Sequence, residues 1–342
     1  MKALTNINAR SIADAVAAAN AAAARGQAFA FSGGGTDLVQ QIKDGTNQAD
    51  VLINLRTVRE ARAVVVSPME TRIGGLITLT ELADHTALSA PWAVLREAAA
   101  SVGTPQIRNV ATLAGNVTQR PWCWYYRNGF PCFKAGGSHC FSVHGEHQQH
   151  AIFGGGPSYS VHPSDLAPAL VALNATFEVT SPEGERRMAA TEFFVLPSQN
   201  PARENVLAAT ELLTGVRIPT PAAGVVSTYL KITDRAAWTH AEVSVAVVLQ
   251  MDGARIRTAN VVLGGVAPMP WRLPDVEQFL RGTALSAAVA GQAGALAIAH
   301  AQPLAKNGHK VPMTSAAVER ARLRLVPADV DSYNERRIPC VQ

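Results

Sequence analysis

The chain has 342 residues, of which 48% are hydrophobic, and it carries a formal net charge of +4. This length is more than one simple core needs and predicts two or three domains. Its lysines and arginines are scattered, no apolar run is long enough to span a membrane, and the N-terminal stretch lacks the apolar core of a secretory signal. These features argue against a nucleic-acid surface, a membrane span and an export signal of its own.

The first hundred residues alternate helix and strand signals. Residues 10–25 predict a helix with Ser11 as its N-cap and Gly26 as its stop. The stretch "AFAFSGGGTDLVQQIKDG" predicts a short strand, a glycine-rich turn and a helix that opens at Thr36 or Asp37. Residues 51–55 predict a strand, and residues 62–85 predict a hairpin followed by a helix start at Thr80. The next helix should hold Pro91 in its first turn.

The second part of the chain begins with a long irregular region, residues 103–165, and loops of that length are usually functional. A helix and a strand follow in "HPSDLAPALVALNATFEVTS", and "ELLTGVRIP" predicts another strand. The prolines and glycine of residues 218–224 predict a domain boundary. Beyond it we expect strands around an Asp252-Gly253 turn, then helices within 285–301 and 315–337.

Three stretches have the composition of a cofactor site. In "FSGGGTDL", glycines bring backbone N–H groups close to a ligand at a helix start, where phosphate binds well. The spacing is neither GxGxxG nor a P-loop, and a tight turn without a ligand explains it equally well. The small polar residues of "GTPQIRNVATLAGNV" could line a cofactor or a surface loop. "HPSDLAPALVAL" alone predicts only a helix capped by Ser164.

Three of the four cysteines, Cys123, Cys132 and Cys140, lie in "QRPWCWYYRNGFPCFKAGGSHC" among six aromatic side chains. Such a cluster more often binds metal than forms disulfides in a reducing compartment. Zinc held by three cysteines and one histidine is an alternative, although the spacings are wide for it. Thiols packed among aromatic rings without any metal are another alternative.

Five stretches occur in an order and spacing that resemble a known family: "GGGTDL", "IRNVATLAGNV", "HPSDLAPALVAL", "LKITDRAAWTHAEVSVAVVL" and "LGGVAPMPWR". From about residue 1 to 330 the chain resembles the FAD-binding medium subunit of the xanthine dehydrogenase family of molybdenum hydroxylases. The stretch "QRPWCWYYRNGFPC" is similar to bacterial aldehyde oxidoreductase flavin subunits. That branch, like the flavin subunit of 4-hydroxybenzoyl-CoA reductase, carries an extra [4Fe–4S] cluster.

The resemblance implies an α+β fold with a two-subdomain, PCMH-type FAD-binding domain in residues 1–220, which includes a cysteine-containing insert at 119–160. A smaller α+β domain of the CO dehydrogenase flavoprotein type would follow in residues 221–342. The FAD diphosphate would meet the glycine stretch, a second wall would come from the 103–117 region, and the polar edge of the flavin would lie near Asp165 and Lys231. The implied FAD-binding residues are Ser32, Gly33, Gly34, Gly35, Thr36, Asp37, Leu38, Gly103, Thr104, Asn109, Thr112, Gly115, Asn116, Asp165, Leu166 and Lys231.

The resemblance also implies that Cys123, Cys132 and Cys140 are metal ligands, but the chain departs from its relatives at the fourth ligand. The relatives' fourth cysteine aligns with Ser158 or Tyr159 here. An iron–sulfur cluster normally takes four ligands. A non-protein ligand or one of His139, His144, His147 and His150 ranks above Cys340, which is about 200 residues away in sequence.

The implied function is electron relay in a heterotrimeric molybdenum hydroxylase of the aldehyde oxidoreductase or xanthine dehydrogenase kind. The expected partners are a large molybdopterin subunit and a small [2Fe–2S] subunit, and the electrons would leave FAD for an external acceptor. No general acid or base is expected in this chain. The alternatives are a self-contained flavin oxidoreductase on the same fold and a scaffold without flavin, against which the intact "GGGTDL" argues. A cytoplasmic location is expected, with export to the periplasm on a partner's signal as the alternative.

Overall fold

The computed structural model describes residues 3–88 and 90–325. Its first unit is a three-stranded parallel sheet in the order β1-β3-β2, covered by helix α1. Ser11 caps α1 by accepting a bond from Asp14 N, and Gly26 follows its end with a positive φ of 67°, as predicted. The elements are β1 (Thr5–Asn8), α1 (Ile12–Ala24), β2 (Phe29–Ser32), α2 (Leu38–Lys43) and β3 (Val51–Asn54).

The second unit is a five-stranded antiparallel sheet in the order β4-β5-β8-β6-β7, packed against short helices. Its strands are β4 (Val64–Val66), β5 (Glu70–Gly74), β6 (Thr176–Ser181), β7 (Gly184–Ala189) and β8 (Leu212–Pro219). Its helices are α3 (Leu79–Ala83), α4 (Ala93–Ala100), α5 (Pro105–Arg108), α6 (Leu113–Val117), α7 (Trp124–Arg127), α8 (Leu166–Ala172) and α9 (Ala190–Phe193), with 3₁₀ turns at Arg59–Arg62, Ala90–Trp92 and Phe133–Ala135.

The third unit is a four-stranded antiparallel sheet in the order β12-β11-β10-β9. Its elements are β9 (Val225–Ile232), β10 (Val243–Asp252), β11 (Arg255–Gly264), β12 (Trp271–Arg272), α10 (Pro274–Leu280), α11 (Ala287–Ala297) and α12 (Lys310–Leu323). Tyr229, Ala246 and Val262 belong to the core of the second unit, so one face of this sheet packs on α4 and α8. Its other face packs on α10 and α12, and α11 packs on these two helices.

The α+β prediction is confirmed, and several local boundaries differ from those expected. Helix α3 starts at Leu79 because Thr78 and Glu81 form a capping box there, and Pro91 lies in a 3₁₀ turn before α4. Residues 103–165 are irregular as predicted, although they contain α5, α6 and α7. Helix α12 begins at Lys310, five residues before the predicted start, and the buried Lys310 ammonium donates to the carbonyls of Gln149 and Gly265. The predicted helix beyond residue 325 lies outside the described residues.

Candidate functional site

A cavity of about 1050 Å³ opens where the three units meet. Much of its lining comes from four parts of the chain: the end of β2 with the glycine loop, residues 102–120, the cysteine insert, and the loop after β9. Residues from 161–165 and 207–213 also contribute. A cavity of this size, mostly apolar with a few polar groups, has the dimensions of a cofactor site.

The glycine loop, residues 32–38, forms one wall of the cavity with its backbone. A Cβ atom on Gly34 would lie 1.9 Å from Val110 O, and one on Gly33 would lie 2.7 Å from Thr112 Oγ1. Gly35 has a positive φ of 74°. The loop is therefore packed directly against residues 110–112, and only glycine permits that contact.

The backbone N–H groups of Gly33, Gly34, Gly35 and Thr36 form no hydrogen bond within the described ranges. Consecutive free N–H groups in a turn bind anions, and buried ones need a partner. Helix α2 after the loop has only six residues, so its dipole adds little to these N–H groups.

Asp37 lies in the glycine loop, but its carboxylate points to the cysteine insert. Oδ1 accepts from Arg127 Nη2 at 2.6 Å, and Oδ2 accepts from Arg120 N at 3.0 Å and from Gln41 Nε2 at 2.7 Å. Arg127 is buried and neutralises the acid. The loop can therefore face an anion although an aspartate belongs to it.

The second wall is held by two capped helices. Thr104 caps α5 by accepting from Ile107 N, and Thr112 caps α6 by accepting from Gly115 N. Asn116 lines the cavity, and its Oδ1 accepts from Ser164 Oγ at 2.6 Å. That hydroxyl also accepts from Ala167 N, so it caps α8 as the sequence predicts.

Asp165 joins the second and third units beneath the cavity. Its Oδ2 accepts from Lys231 Nζ at 2.7 Å, and its Oδ1 accepts from Tyr229 Oη at 2.7 Å. Burial and the neighbouring Asp165 carboxylate raise the pKa of Tyr229, which therefore stays a hydrogen-bond donor. Lys231 also donates to the carbonyls of Ser101 and Thr239.

Most of the predicted flavin-binding residues line this same cavity. They are Ser32, Gly33, Gly34, Gly35, Thr36, Asp37, Leu38, Gly103, Thr112, Gly115, Asn116 and Asp165. Four others do not line it: Thr104 caps α5, Asn109 accepts from Thr80 Oγ1, Leu166 is fully buried, and Lys231 holds Asp165.

Several lining residues were not predicted. Trp122 and Trp124 come from the insert, and Arg235, Trp238 and Glu242 follow β9. Trp238 has an unusual positive φ of 59° and is 61% exposed. The quoted motif "LKITDRAAWTHAEVSVAVVL" contains these last three residues, so the motif marked the right segment without indicating which side chains face the cavity.

The cysteine insert brings its three thiols into one neighbourhood. Burial raises the pKa of Cys123 to about 11, and the charges of Cys132 and Cys140 add to that rise. Cys123 Sγ lies 3.4 Å from His150 Nε2, and Cys140 Sγ lies 3.0 Å from Ser142 Oγ. Of the three cysteines, Cys123 alone belongs to the cavity lining.

The thiols do not form a compact single-ion site. Within residues 3–88 and 90–325, no three His, Cys, Asp or Glu side chains converge closely enough to hold one metal ion. Cys340 lies outside the described residues.

The parallel and antiparallel sheets around a glycine-walled cavity, followed by a third α+β unit, define a protein with a large cofactor site. Residues 2–221 match the FAD binding domain in molybdopterin dehydrogenase, and residues 228–319 match the CO dehydrogenase flavoprotein C-terminal domain. The chain belongs to this family of FAD-binding subunits of molybdenum hydroxylases, and it is an oxidoreductase subunit.

Individual relatives agree with this family. The chain is 36% identical to the aldehyde oxidoreductase FAD-binding subunit PaoB of Escherichia coli over 254 residues, which are 73% of this chain and 78% of the relative. It is 28% identical to the carbon monoxide dehydrogenase medium chain of Afipia carboxidovorans over 324 residues, 92% of this chain and 95% of that one. The solved reconstituted CO dehydrogenase from Oligotropha carboxidovorans superposes with a TM-score of 0.74 at 25% identity, covering 94% of this chain and 97% of that chain.

No helix within the described ranges is both long and apolar enough to cross a membrane.

Proposed function

We propose that this chain binds FAD in the 1050 Å³ cavity and is the electron-relay subunit of a heterotrimeric molybdenum hydroxylase. The observation that carries the proposal is the row of four free backbone N–H groups, Gly33 to Thr36, in the wall of a large, mostly apolar cavity. The expected partners are a large molybdopterin subunit and a small [2Fe–2S] subunit. Relatives named as medium chains and FAD-binding subunits support this assembly.

Each part of the cavity has a distinct task in this proposal. The N–H groups of the glycine loop bind the diphosphate, and Gly103, Thr112, Gly115 and Asn116 form the adjoining second wall. Asp165 orients the polar edge, and the ion pair with Lys231 fixes the position of the Asp165 carboxylate. Thr104, Asn109 and Leu166 act indirectly by fixing the second wall. When bound, FAD supplies the redox chemistry, and the protein positions it and excludes water.

A charge in the glycine loop tests the diphosphate assignment without adding a Cβ to a glycine. Thr36→Asp places a carboxylate beside the free N–H groups, whereas Thr86→Asp places one at an exposed position outside the cavity. We expect Thr36→Asp to lose bound FAD while its affinity for riboflavin, which has no diphosphate, is unchanged. Thr86→Asp should keep the flavin content of the wild type. A Thr36→Asp chain that keeps full FAD would overturn the assignment.

The relay role is tested by purifying the complex from its natural host through a tag on this chain. Two further subunits, one with molybdopterin and one with [2Fe–2S], should copurify, and the isolated chain should oxidise neither aldehydes nor purines. Substrate turnover by the chain alone would favour a self-contained flavin oxidoreductase. Fractionation of the same cells tests the proposed cytoplasmic location against periplasmic export with a partner.

We also propose that Cys123, Cys132 and Cys140 bind a [4Fe–4S] cluster. The three thiols of one insert support it, since Cys123, Cys132 and Cys140 are all free and Cys132 is buried. An apolar shell around soft thiolates limits solvent access and suits iron–sulfur chemistry. Cys123 would be the ligand nearest the flavin, because it lines the cavity.

Iron and sulfide analysis of anaerobically purified protein tests the cluster. We expect about four irons per chain, lost in Cys132→Ala and kept in Cys340→Ala. Stoichiometric zinc, or full flavin without any metal, would contradict the cluster and leave the FAD assignment intact.

A further inference from the structure

The loop after β9 is bonded to the second wall of the cavity through its tryptophan. Trp238 N donates to Gly103 O at 3.3 Å, and Trp238 O accepts from Arg235 Nη2 at 2.8 Å. Lys231 Nζ donates to the next carbonyl, Thr239 O, at 3.2 Å. The backbone on both sides of the Trp238 side chain is therefore fixed by hydrogen bonds, one of which reaches another unit of the fold.

Trp238 has a backbone conformation that large side chains rarely adopt. Its φ is 59°, and the other non-glycine residue with a positive φ in the described part of the chain is Asn174, whose residue type tolerates this region. An asparagine or a glycine would therefore suit this position of the loop better than a tryptophan does. Strain of this kind persists where the surrounding structure enforces it, and it is found most often at sites that bind ligands.

The indole ring of Trp238 gains little from the rest of the chain. The residue is 61% exposed, and its ring forms no hydrogen bond and no ring contact with the described residues. It nevertheless lines the cavity, so it lies where the cavity opens to solvent. An open aromatic face beside a large cavity is typical of a surface that a ligand covers. Strain and exposure together indicate that the side chain contacts a ligand.

The place of Trp238 in the cavity selects the part of FAD that it would meet. The diphosphate belongs to the glycine loop in the proposed function, and the polar edge of the flavin belongs to Asp165. Lys231 bonds both to the Asp165 carboxylate and to the carbonyl of Thr239, the neighbour of Trp238 in the chain. Trp238 therefore belongs to the end of the cavity that holds the flavin ring.

We infer that Trp238 stacks on the isoalloxazine ring of FAD and closes the opening of the cavity over it. The inference rests on the FAD-binding part of the proposed function. Aromatic rings attract each other in offset-stacked or edge-to-face arrangements, and an electron-rich indole suits an electron-poor flavin. The contact binds the ring and limits the access of water to it. It also explains why the loop keeps a strained tryptophan where asparagine would fit.

The experiment measures the binding of riboflavin to the flavin-free full chain, because riboflavin has the ring system without the diphosphate. Trp238→Asn suits a positive φ but removes the indole, and Trp238→Phe keeps an aromatic ring. The control is Met69→Asn, which removes an apolar side chain that is 82% exposed and lies outside the cavity lining.

We expect Trp238→Asn to weaken riboflavin binding by between about threefold and tenfold, the contribution of one aromatic pair. Riboflavin that is bound to this variant should also fluoresce more strongly than in the wild type, because an indole in contact with a flavin quenches its fluorescence. Trp238→Phe should lose less affinity than Trp238→Asn, and Met69→Asn should bind riboflavin as the wild type does.

Chemical denaturation separates contact with the ligand from a role in the fold. Because asparagine adopts a positive φ readily, the free energy of unfolding of Trp238→Asn should be no lower than that of the wild type. Wild-type affinity for riboflavin in Trp238→Asn would overturn the inference while FAD binding by the wild type still stood. Weaker binding that comes with a loss of stability would overturn it too, since Trp238 would then serve the fold. A wild type that binds neither FAD nor riboflavin would refute the proposed function and this inference together.

Discussion

The two sides of the cavity are built by different means. The glycine loop makes its wall from backbone, because a Cβ atom on Gly34 would overlap Val110 O. The cysteine insert, residues 119–160, makes its wall from side chains that contact distant parts of the chain. Arg120 and Lys134 both pair with the buried Glu204, and Arg127 pairs with Asp37.

The two sides of the cavity should therefore tolerate different kinds of substitution. A wall made of backbone is disturbed when a substitution adds side-chain volume, and it is not disturbed by the loss of a charge elsewhere in the protein. A wall of paired side chains tolerates changes of shape but responds to the loss of any one charge, since the partner is then left buried and unpaired. The Asp37–Arg127 pair is the contact through which the two walls depend on each other.

Removing the charge that joins the two walls should have the largest effect. Arg127→Met leaves Asp37 without its buried cation, and breaking such a pair costs about 3–5 kcal/mol. The control is Arg62→Met, which removes the exposed partner of Glu81 and should cost under about 1 kcal/mol. Chemical denaturation measures the free energy of unfolding of both variants. Equal losses in the two variants would show that the walls are independent.

Adding one methyl group to the backbone wall should have the next largest effect. Gly34→Ala forces the loop away from Val110 and should cost about 3 kcal/mol together with most FAD binding. Gly291→Ala is the matched control, since a Cβ there meets no atom within 4 Å and the residue lies inside α11. Alanine should stabilise that helix by about 0.5–1 kcal/mol. Wild-type stability and flavin content in Gly34→Ala would contradict the close approach.

The segment that follows the insert should make the protein sensitive to acid. Burial lowers the pKa of His162, directly after the insert, from 6.5 to about 3. The unfolded chain then binds a proton between these values while the folded chain does not, so stability falls as the pH drops through this window. The loss from pH 6.5 to pH 5 should be about 2 kcal/mol.

Denaturation at pH 7 and pH 5 checks this dependence. His162→Gln should remove this part of the difference between the two pH values, whatever its effect at pH 7. His144→Gln, at an exposed position, should keep the wild-type difference. An unchanged pH dependence in His162→Gln would mean that other groups cause the acid sensitivity.

The backbone wall could be predicted from sequence, whereas the contacts of the insert could not. The turn at Gly33 to Gly35 and the caps Ser11 and Ser164 depend on neighbours within a few residues, so local patterns reveal them. The order of five short motifs then indicated the family and the fold.

The remaining contacts join residues that no local pattern relates. Asp37 meets Arg127 across 90 positions, and Asp165 meets Lys231 across 66. The sequence indicated Asp37 as a flavin residue, but its side chain is turned to the insert, and only the folded chain shows which acid faces which base. In the same way, the sequence shows four histidines near three cysteines, and only the folded chain shows that His150 is buried with its Nε2 3.4 Å from Cys123 Sγ.

The smallest expected effect is a difference in stability between variants of Trp122 and Trp124, two tryptophans of the insert that the sequence alone does not distinguish. The Trp122 ring lies 4.4 Å from the Arg127 guanidinium and 5.2 Å from the His240 ring, whereas Trp124 is 69% exposed. A cation–π contact of this kind contributes about 0.5–1 kcal/mol, or more when it is shielded from water. We therefore expect Trp122→Ala to lower the free energy of unfolding by about 1 kcal/mol and Trp124→Ala to change it by less than about 0.5 kcal/mol. In an Arg127→Met background the Trp122→Ala effect should shrink, because the cation is already gone. An undiminished effect in that double variant would mean that Trp122 stabilises the insert through His240 rather than through the arginine that joins the two walls.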